Sequence, residues 1–288
     1  MTRLHGRVLV IAGSDSSGGA GIQADVKTIT ALGAYAATAI TALTAQNTLG
    51  VQGILPVPPD FLAWQIEAVL EDIGADVVKT GMLGDAAAVE RVCDTLAARA
   101  PGVPVVVDPV MTAKGGARLL PSGAVAALKR RLLPMASILT PNLPEAEALA
   151  GMAIPNLAAM HRAAAALLTL GVPAVVLKGG HLPGETVTDL LATEDGIEAF
   201  DAPRLVSRHT HGTGCTLASA LAAGLAQGLG VREAVLRARL FVRAAIATAP
   251  GLGAGHGPLN HAVTGLCSME QEGGRNSANP VWYPATRT

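Results

Sequence analysis

A predicted helix start rich in glycine contains the first residues that could do chemistry. Residues 209–218 read HTHGTGCTLA, and small apolar residues that favour a helix follow them. Glycine and threonine at a helix start leave backbone N–H groups free, and these donors act with the helix dipole to attract an anion. Cys215 lies in that first turn, where we expect a lowered thiol pKa and a role as base or nucleophile. The alternative is a structural helix start around a small buried cysteine, and this stretch alone does not decide between the two.

Four further side chains are suited to phosphate or metal chemistry. Asn142 and Glu145 follow a predicted strand at a spacing that can hold phosphate oxygens and the water ligands of Mg²⁺, although Glu145 could simply favour a helix N-terminus. Asp108 ends a strand before a proline, where it could organise a metal ion or water, or only form a turn. Lys178 ends another strand and could neutralise a transferring phosphate, or extend along the surface.

The composition excludes several classes of function. Charged residues make up 15% of the 288 residues and the formal net charge is −1, so we expect no surface for nucleic acid or an anionic membrane. The three cysteines are far apart, which predicts neither a zinc site nor a disulfide framework and fits a reducing compartment. No apolar run reaches the roughly 18 residues of a membrane span. We therefore predict a cytoplasmic protein. His181, His209 and His211 lack metal-ligand spacing, and we interpret them as ordinary loop residues.

Short apolar runs that end in polar or glycine residues alternate with predicted helices. This βα repetition predicts an α/β domain with a mainly parallel sheet, whose ligands bind beyond the carboxyl ends of the strands. We expect one domain over residues 1–267 and a polar tail over 268–288. The predicted strands cover residues 8–12, 35–45, 76–80, 103–107, 137–140 and 174–178, with a hairpin over 186–192 and 197–203, and the predicted helices cover about 22–32, 60–72, 86–99, 157–170 and 231–248, besides the one that starts near residue 212.

Two loops are expected at the same edge of the sheet. Residues 13–21 follow the first strand and are rich in glycine, but their spacing matches neither a dinucleotide-binding fingerprint nor a Walker A loop. Such a loop can still close over a small substrate. Residues 112–117, around Lys114, lie between a strand and a helix and are predicted to form a flap.

Six motifs in a fixed order resemble those of one family. They read AGSDSSGGAGIQAD at 12–25, TALTAQNT at 41–48, KTGMLG at 79–84, VDPV at 107–110, TPNLPE at 140–145 and HGTGC at 211–215. Together they are similar to hydroxymethylpyrimidine/phosphomethylpyrimidine kinase, the thiamine-pathway member of the ribokinase superfamily. The likeness covers roughly residues 8–261, where GHGPLNH at 255–261 also resembles the family's terminal signature.

This resemblance implies a fold, a reaction and a set of ligands. The fold would be a ribokinase-like three-layer sandwich, with a central, mainly parallel sheet flanked by helices, in a homodimer. The cofactors would be ATP, as the phosphoryl donor, and Mg²⁺. The γ-phosphoryl group would pass to the hydroxymethyl oxygen of an aminopyrimidine. The monophosphate would then be phosphorylated again, to the pyrophosphate used to build thiamine.

The resemblance also implies roles for individual residues. Gln46 would hydrogen-bond the aminopyrimidine, since its amide offers both a donor and an acceptor. Cys215 stands where many superfamily members have an aspartate base. Gly212, Thr213 and Gly214 would complete an anion hole with it. The remaining implied positions are Gly13, Asp25, Met82 and Val110 around the substrate, Lys178, Asn142 and Thr210 at ATP, and Glu145 and Asp108 at the metal.

Three alternative functions stay open at this stage. Pyridoxal kinase belongs to the same superfamily, and Gln46 and Met82 favour the pyrimidine over it. A catalytically silent pyrimidine-binding protein would share the fold, but the intact Gly212–Cys215 motif and Lys178 argue against it. A cysteine hydrolase would need a positioned histidine beside Cys215, which nothing in the sequence specifies.

Overall fold

The computed structural model describes residues 5–263 except 113–115, 117, 118 and 120, with the backbone alone at Ser122. Strands and helices alternate over most of this length. The strands are β1 (Arg7–Ala12), β2 (Tyr35–Ile40), β3 (Ala42–Asn47), β4 (Gly50–Pro56), β5 (Val77–Thr80), β6 (Val105–Val107), β7 (Ile138–Leu139), β8 (Ala174–Leu177), β9 (Thr186–Thr193) and β10 (Gly196–Pro203). The helices are α1 (Gly21–Ala31), α2 (Pro59–Asp72), α3 (Ala86–Arg99), α4 (Ser122–Ala127), α5 (Leu143–Ala150), α6 (Leu157–Leu168), α7 (Thr213–Ala226) and α8 (Val231–Ala247).

Eight strands form the central sheet in the order β10-β9-β8-β7-β6-β5-β1-β2. The pairs from β8 to β2 are parallel, and β9 runs antiparallel to both of its neighbours. Crossover helices cover both faces of a parallel sheet, which explains why its strands are continuous apolar runs and not alternating ones. The predicted parallel sheet and the predicted β9–β10 hairpin are confirmed.

Helices cover the sheet on two sides and create two cores. Leu9 and Ile11 of β1 point into the first core, which α2, α3, α4, α5 and α6 complete. Val8 and Val10 point the other way, into a second core formed with α1, α7 and α8. The predicted three-layer arrangement is therefore confirmed. Helix α7 packs in the second core, and its N-terminus lies at the carboxyl edge of the sheet.

The region after β2 differs from the prediction of one strand over residues 35–45, which is wrong. The chain bends at Thr41, whose N–H donates to the Ala12 carbonyl at 3.1 Å and whose hydroxyl donates to the Met82 carbonyl at 2.6 Å. Strand β3 then leaves the main sheet and pairs with β4, which was not predicted, in an antiparallel ribbon. No glycine or proline marks the bend in residues 35–45, so the break depends on these tertiary hydrogen bonds.

Two short helices, α4 and α5, had no predicted bounds: α4 is the helix expected after the flap, and α5 starts at the helix N-terminus that was one of the two interpretations of Glu145. The predicted flap lies mostly outside the described residues, which include only Thr112 and Gly116 of it, and the predicted tail and domain boundary lie outside them entirely. Among the helices that the structure describes, none is both long and apolar enough to cross a bilayer.

Candidate active site

One cavity of about 960 Å³ lies along the carboxyl edge of the parallel strands, bounded by the β3–β4 ribbon and the N-terminus of α7. This is where the fold gathers polar turn residues, and the volume suits a small ligand. The site residues predicted from sequence line it with one exception, Asp25. Those lining it are Gly13, Gln46, Met82, Asp108, Val110, Asn142, Glu145, Lys178, Thr210, Gly212, Thr213, Gly214 and Cys215.

The first turn of α7 faces this cavity with free backbone donors. Gly212 caps the helix with φ +83°, and a Cβ there would lie 1.8 Å from the Gly19 carbonyl oxygen, so only glycine fits. The helical hydrogen bonds begin with the Thr216 N–H on the Gly212 carbonyl at 2.9 Å. The N–H groups of Gly214 and Cys215 precede that bond and have no acceptor within the helix. This is the kind of helix end that the sequence predicts to attract an anion.

Lys178 and Asp108 form an ion pair beside that helix end. Lys178 Nζ lies 3.0 Å from Asp108 Oδ1, which also accepts from the Thr140 hydroxyl at 3.2 Å. A Cβ on Gly214 would lie 3.1 Å from Lys178 Nζ and 3.7 Å from Asp108 Oδ2. The Lys178 side chain is only 13% exposed, so it does not extend along the surface. Burial lowers its pKa, but Asp108 and Glu145 raise it above its ordinary value, which keeps the positive charge at the cavity.

Asn142 and Glu145 start helix α5 through a reciprocal capping box. The Glu145 N–H donates to Asn142 Oδ1 at 2.9 Å, and the Asn142 N–H donates to Glu145 Oε2 at 2.8 Å. The structural role considered from sequence is therefore real, while both side chains also line the cavity. Burial raises the pKa of Glu145 to about 7, with a contribution from Asp108, against the lowering effect of Lys178. This carboxyl group is poised to change charge near neutral pH.

The prediction of a lowered thiol pKa at Cys215 is wrong. Burial raises the pKa of Cys215 to about 12, and the Asp25 and Asp108 carboxylates add to that rise. The charge of Lys79 and a backbone hydrogen bond to Gly21 lower it less than burial raises it. The helix N-terminus therefore does not produce a thiolate at neutral pH, because the loss of hydration around the partly buried thiol outweighs its effect.

Lys79 is a site residue that sequence reasoning missed. Its fully buried ammonium lies 2.9 and 3.0 Å from the two carboxylate oxygens of Asp25, which also accepts from the Ser219 hydroxyl at 2.7 Å. Asp25, expected to shape the pocket, has no exposed surface and lies below the cavity floor. A lysine in the otherwise apolar strand β5 was the available signal, because such a charge needs a buried partner.

His211 is a second residue that the sequence interpretation undervalued. Its ring is buried, and Nε2 lies 2.7 Å from Asp15 Oδ2 and 3.3 Å from Gln46 Nε2. Burial would raise the pKa of Asp15, but hydrogen bonds from His211 and Ser17 lower it to about 2. An ordinary loop histidine and this one look alike in sequence, since neither its spacing nor its neighbours point to Asp15.

Solved structures place this architecture among small-molecule kinases. The chain superimposes on Bacillus subtilis pyridoxal kinase, solved as an ADP complex, with a TM-score of 0.82 and 36% identity, covering 90% of this chain and 98% of that one. Fold and site therefore define a ribokinase-like phosphotransferase. A family model described as phosphomethylpyrimidine kinase matches residues 15–260. The chain belongs to the phosphomethylpyrimidine kinase family.

Curated relatives agree with this assignment. The chain is 49% identical over 254 residues to hydroxymethylpyrimidine/phosphomethylpyrimidine kinase of Streptomyces coelicolor, covering 88% of this chain and 93% of that protein. It is 54% identical over 257 residues to the thiamine biosynthesis bifunctional protein ThiED of Geobacter sulfurreducens, covering 89% of this chain. The match spans only 52% of that longer relative.

Proposed function

We propose that this protein uses ATP and Mg²⁺ to phosphorylate 4-amino-5-hydroxymethyl-2-methylpyrimidine and then its monophosphate, giving the pyrophosphate for thiamine biosynthesis. One observation carries the proposal. A single cavity has the Gln46 amide on its β3–β4 wall and, at the N-terminus of α7, free backbone donors beside Lys178. The first feature suits an aminopyrimidine edge and the second suits a transferring phosphoryl group.

Mg²⁺ fits the carboxylates beside Lys178. The described residues contain no cluster of three or more His, Cys, Asp or Glu side chains that could hold a metal. Mg²⁺ bound with a nucleotide, however, needs only one or two carboxylates besides phosphates and water. Asp108 keeps Oδ2 toward the first turn of α7, and Glu145 lines the same cavity. These two residues would hold the ion, which when bound neutralises negative charge on the phosphates.

The chain's own residues then supply position and charge. Lys178 places a positive charge near the phosphoryl group, and the N–H groups of Gly214 and Cys215 donate to its oxygens. In this proposal, Asn142 and Thr210 also bind the ATP. Phosphoryl transfer depends mainly on positioning and charge stabilisation, so the protonated Cys215 thiol of the resting site is compatible with turnover. The thiolate form of Cys215, a small fraction of the protein at neutral pH, stays our candidate for the base that receives the hydroxyl proton.

A coupled ATP-consumption assay tests the proposal. Wild-type protein is given hydroxymethylpyrimidine, or its monophosphate, and each product is identified by mass. We expect ATP turnover that depends on the pyrimidine and on Mg²⁺, with mass gains of one phosphoryl group per step. Pyrimidine binding without ATP turnover would instead establish the silent binding protein. Inactivation by iodoacetamide of a reaction that needs no ATP would establish the hydrolase.

Pyridoxal kinase is the second candidate, because the pyridoxal kinase of Bacillus subtilis superimposes on this chain over 90% of its length. Hydroxymethylpyrimidine and pyridoxal at equal concentration, competing for one enzyme, separate the two activities. We expect the pyrimidine product to dominate. The homodimer and the cytoplasmic location implied by the resemblance remain predictions, which sedimentation and cell fractionation test.

A further inference from the structure

The position of Gln46 is fixed by the glycine-rich loop before any ligand arrives. The Ser16 hydroxyl donates to the Gln46 carbonyl at 2.8 Å and accepts from the Gln46 N–H at 2.8 Å. At the end of the side chain, Nε2 lies 3.3 Å from His211 Nε2, and Oε1 lies 3.2 Å from Thr44 Oγ1. The nitrogen and oxygen of an amide are nearly identical in shape, so its hydrogen-bonding partners must decide which atom lies on which side.

The partner on one side, His211, can only donate. The Asp15 carboxylate is a pure acceptor, and it already accepts from the Ser17 N–H at 2.9 Å, the Ser17 hydroxyl at 2.7 Å and the Ala20 N–H at 2.8 Å. His211 Nε2 lies 2.7 Å from the same carboxylate, so this nitrogen carries a hydrogen. That conclusion holds for the neutral ring and for the imidazolium. The Nε2 hydrogen is already donated to Asp15, and a ring N–H has no lone pair to offer, so an amide N–H has no acceptor here. The Gln46 atom that faces Nε2 should therefore be the oxygen, which can share the hydrogen.

The partner on the other side, Thr44, can only accept from the amide. A threonine hydroxyl has one hydrogen, and Thr44 donates it to the Ser14 carbonyl at 2.8 Å. The Gln46 atom that faces Thr44 Oγ1 must therefore be a donor. Both ends of the amide thus require the same orientation, from independent partners.

We infer that Asp15, His211 and Thr44 act as positioning residues that hold the Gln46 amide with its oxygen toward His211 and its nitrogen toward Thr44. This is a half-turn about the last side-chain bond. It replaces an N–H facing the His211 N–H by an oxygen that can share the hydrogen donated to Asp15, and it gives Thr44 a hydrogen bond from the amide. The amide keeps one free N–H and one free lone pair for the cavity. The ring edge of a ligand can then pair with the Gln46 amide in only one orientation.

The orientation of the Gln46 amide determines where the reacting hydroxyl of the substrate lies. This consequence rests on the function proposed above. An aminopyrimidine pairs its amino group with the amide oxygen and its ring nitrogen with the amide N–H. The hydroxymethyl carbon is attached next to the amino group, so it lies on the His211 side. His211 leads directly into Gly212 and the first turn of α7. The reverse amide orientation would turn the hydroxyl away from the anion site.

Nuclear Overhauser contacts test the amide orientation without any turnover. Protein labelled with ¹⁵N at glutamine is used, and the Gln46 signals are assigned by their loss in Gln46→Glu. We expect contacts from the Gln46 amide protons to the Thr44 methyl group in the ligand-free protein. Contacts to the His211 ring protons without contacts to Thr44 would overturn the inference, whether or not the protein is a pyrimidine kinase.

Substrate discrimination tests the consequence for specificity. The 4-oxo analogue of hydroxymethylpyrimidine reverses the donor and acceptor on the recognised edge, so a fixed amide should reject it. We expect Thr44→Val to lower the ratio of kcat/KM for the amino over the oxo substrate at least tenfold, because the amide can then rotate. Thr44→Ser keeps the hydroxyl and should keep the ratio.

His211 provides a second pair of variants. His211→Leu should lower the ratio as Thr44→Val does, and His211→Gln, which retains a donor, should restore it. Thermal melting identifies a variant that fails to fold. If the His211 variants do not fold, the variants of the partly exposed Thr44 test the positioning role by themselves. Equal losses for both substrates, or an unchanged ratio in Thr44→Val, would overturn the positioning role. Absence of any pyrimidine turnover in the wild type would refute the proposed function and leave the orientation to the labelling experiment.

Discussion

Lys79 and Asp25 form an ion pair that is sealed from solvent, with Lys79 Nζ 2.9 Å from a carboxylate oxygen and both side chains fully buried. The pair lies beneath the first turn of α7, where its partner Ser219 belongs to the same helix. Burial by itself would lower the pKa of Lys79, but the Asp25 carboxylate raises it above its ordinary value. The pair therefore keeps the Lys79 ammonium, balanced by the Asp25 carboxylate, under the proposed anion site without exposing it.

Breaking this pair should be costly. We predict that Asp25→Asn lowers the free energy of unfolding by about 3–5 kcal/mol, because it leaves the Lys79 charge buried without a partner. Lys79→Met should cost a similar amount, and the double variant should cost clearly less than the sum of the two. Urea denaturation measures all three values. Arg7→Met breaks the half-exposed Arg7–Asp76 pair and serves as the control, with an expected cost well below that of Asp25→Asn. A loss below about 1 kcal/mol in Asp25→Asn would contradict a charged buried pair.

The role of Cys215 can be separated from substrate binding. We predict that Cys215→Ala leaves pyrimidine and ATP binding nearly unchanged and lowers single-turnover rates by about 10²–10⁴-fold, the usual contribution of a general base. Since the thiol pKa is about 12, the thiolate fraction grows with pH across the whole neutral range. The wild-type rate should therefore rise with pH between about 7 and 9, and the variant rate should not.

Cys93 provides the matched control for this experiment. It is buried in the core between the sheet and α3, and it does not line the cavity. Cys93→Ala should leave the turnover rate and its pH dependence unchanged. An undiminished rate in Cys215→Ala would remove Cys215 from the base role and leave the anion hole to positioning and charge alone.

Local sequence patterns predict the sheet and the polar residues at its strand ends, whereas Gln46, Met82 and the other substrate positions were assigned only by resemblance to the kinase family. Most parallel strands are apolar runs, and the residue that follows such a strand, for example Asp108 or Lys178, lies at the common carboxyl edge. The details that depend on tertiary contacts are not predictable in this way. The bend at Thr41 depends on hydrogen bonds to distant loops. The raised thiol pKa of Cys215 depends on burial that no spacing reveals.

Glu145 should make stability depend on pH. Its pKa is about 7 in the folded protein, where burial disfavours the charge, and 4.5 is the ordinary value. Between these values the folded protein binds more protons than the unfolded chain, so the free energy of unfolding falls as pH rises from about 4.5 to 7. The protonated Glu145 carboxyl group thus contributes on the order of 3 kcal/mol to the free energy of unfolding at low pH, and this contribution is fully lost above pH 7.

The variant Glu145→Gln isolates this contribution, because glutamine can still complete the capping box but does not titrate. Urea denaturation at pH 5 and at pH 8, without ATP or Mg²⁺, gives the stability difference between wild type and variant. We expect the wild type to lose about 3 kcal/mol relative to Glu145→Gln between the two pH values. A difference that does not change with pH would show that the carboxyl group keeps its ordinary pKa.

The two glycines at the start of α7 should respond differently to alanine. At Gly212 the φ of +83° and the Gly19 carbonyl oxygen 1.8 Å from an added Cβ leave no room, so Gly212→Ala should destabilise the fold by at least about 1–3 kcal/mol and abolish turnover. At Gly214 the nearest atom is Lys178 Nζ at 3.1 Å, at the end of a flexible side chain. Gly214→Ala should therefore fold and melt at or above the wild-type temperature, since alanine favours a helix over glycine by about 1 kcal/mol.

The Gly214→Ala substitution should impair catalysis, because the new methyl group occupies space beside the free N–H donors. We expect about a tenfold loss in kcat/KM for ATP, measured at saturating pyrimidine. Gly123→Ala is the control, since an added Cβ there meets nothing within 4 Å and Gly123 itself does not line the cavity. It should raise stability slightly and leave kcat/KM unchanged. If Gly214→Ala retains full activity, the phosphoryl group does not bind against this turn of the helix.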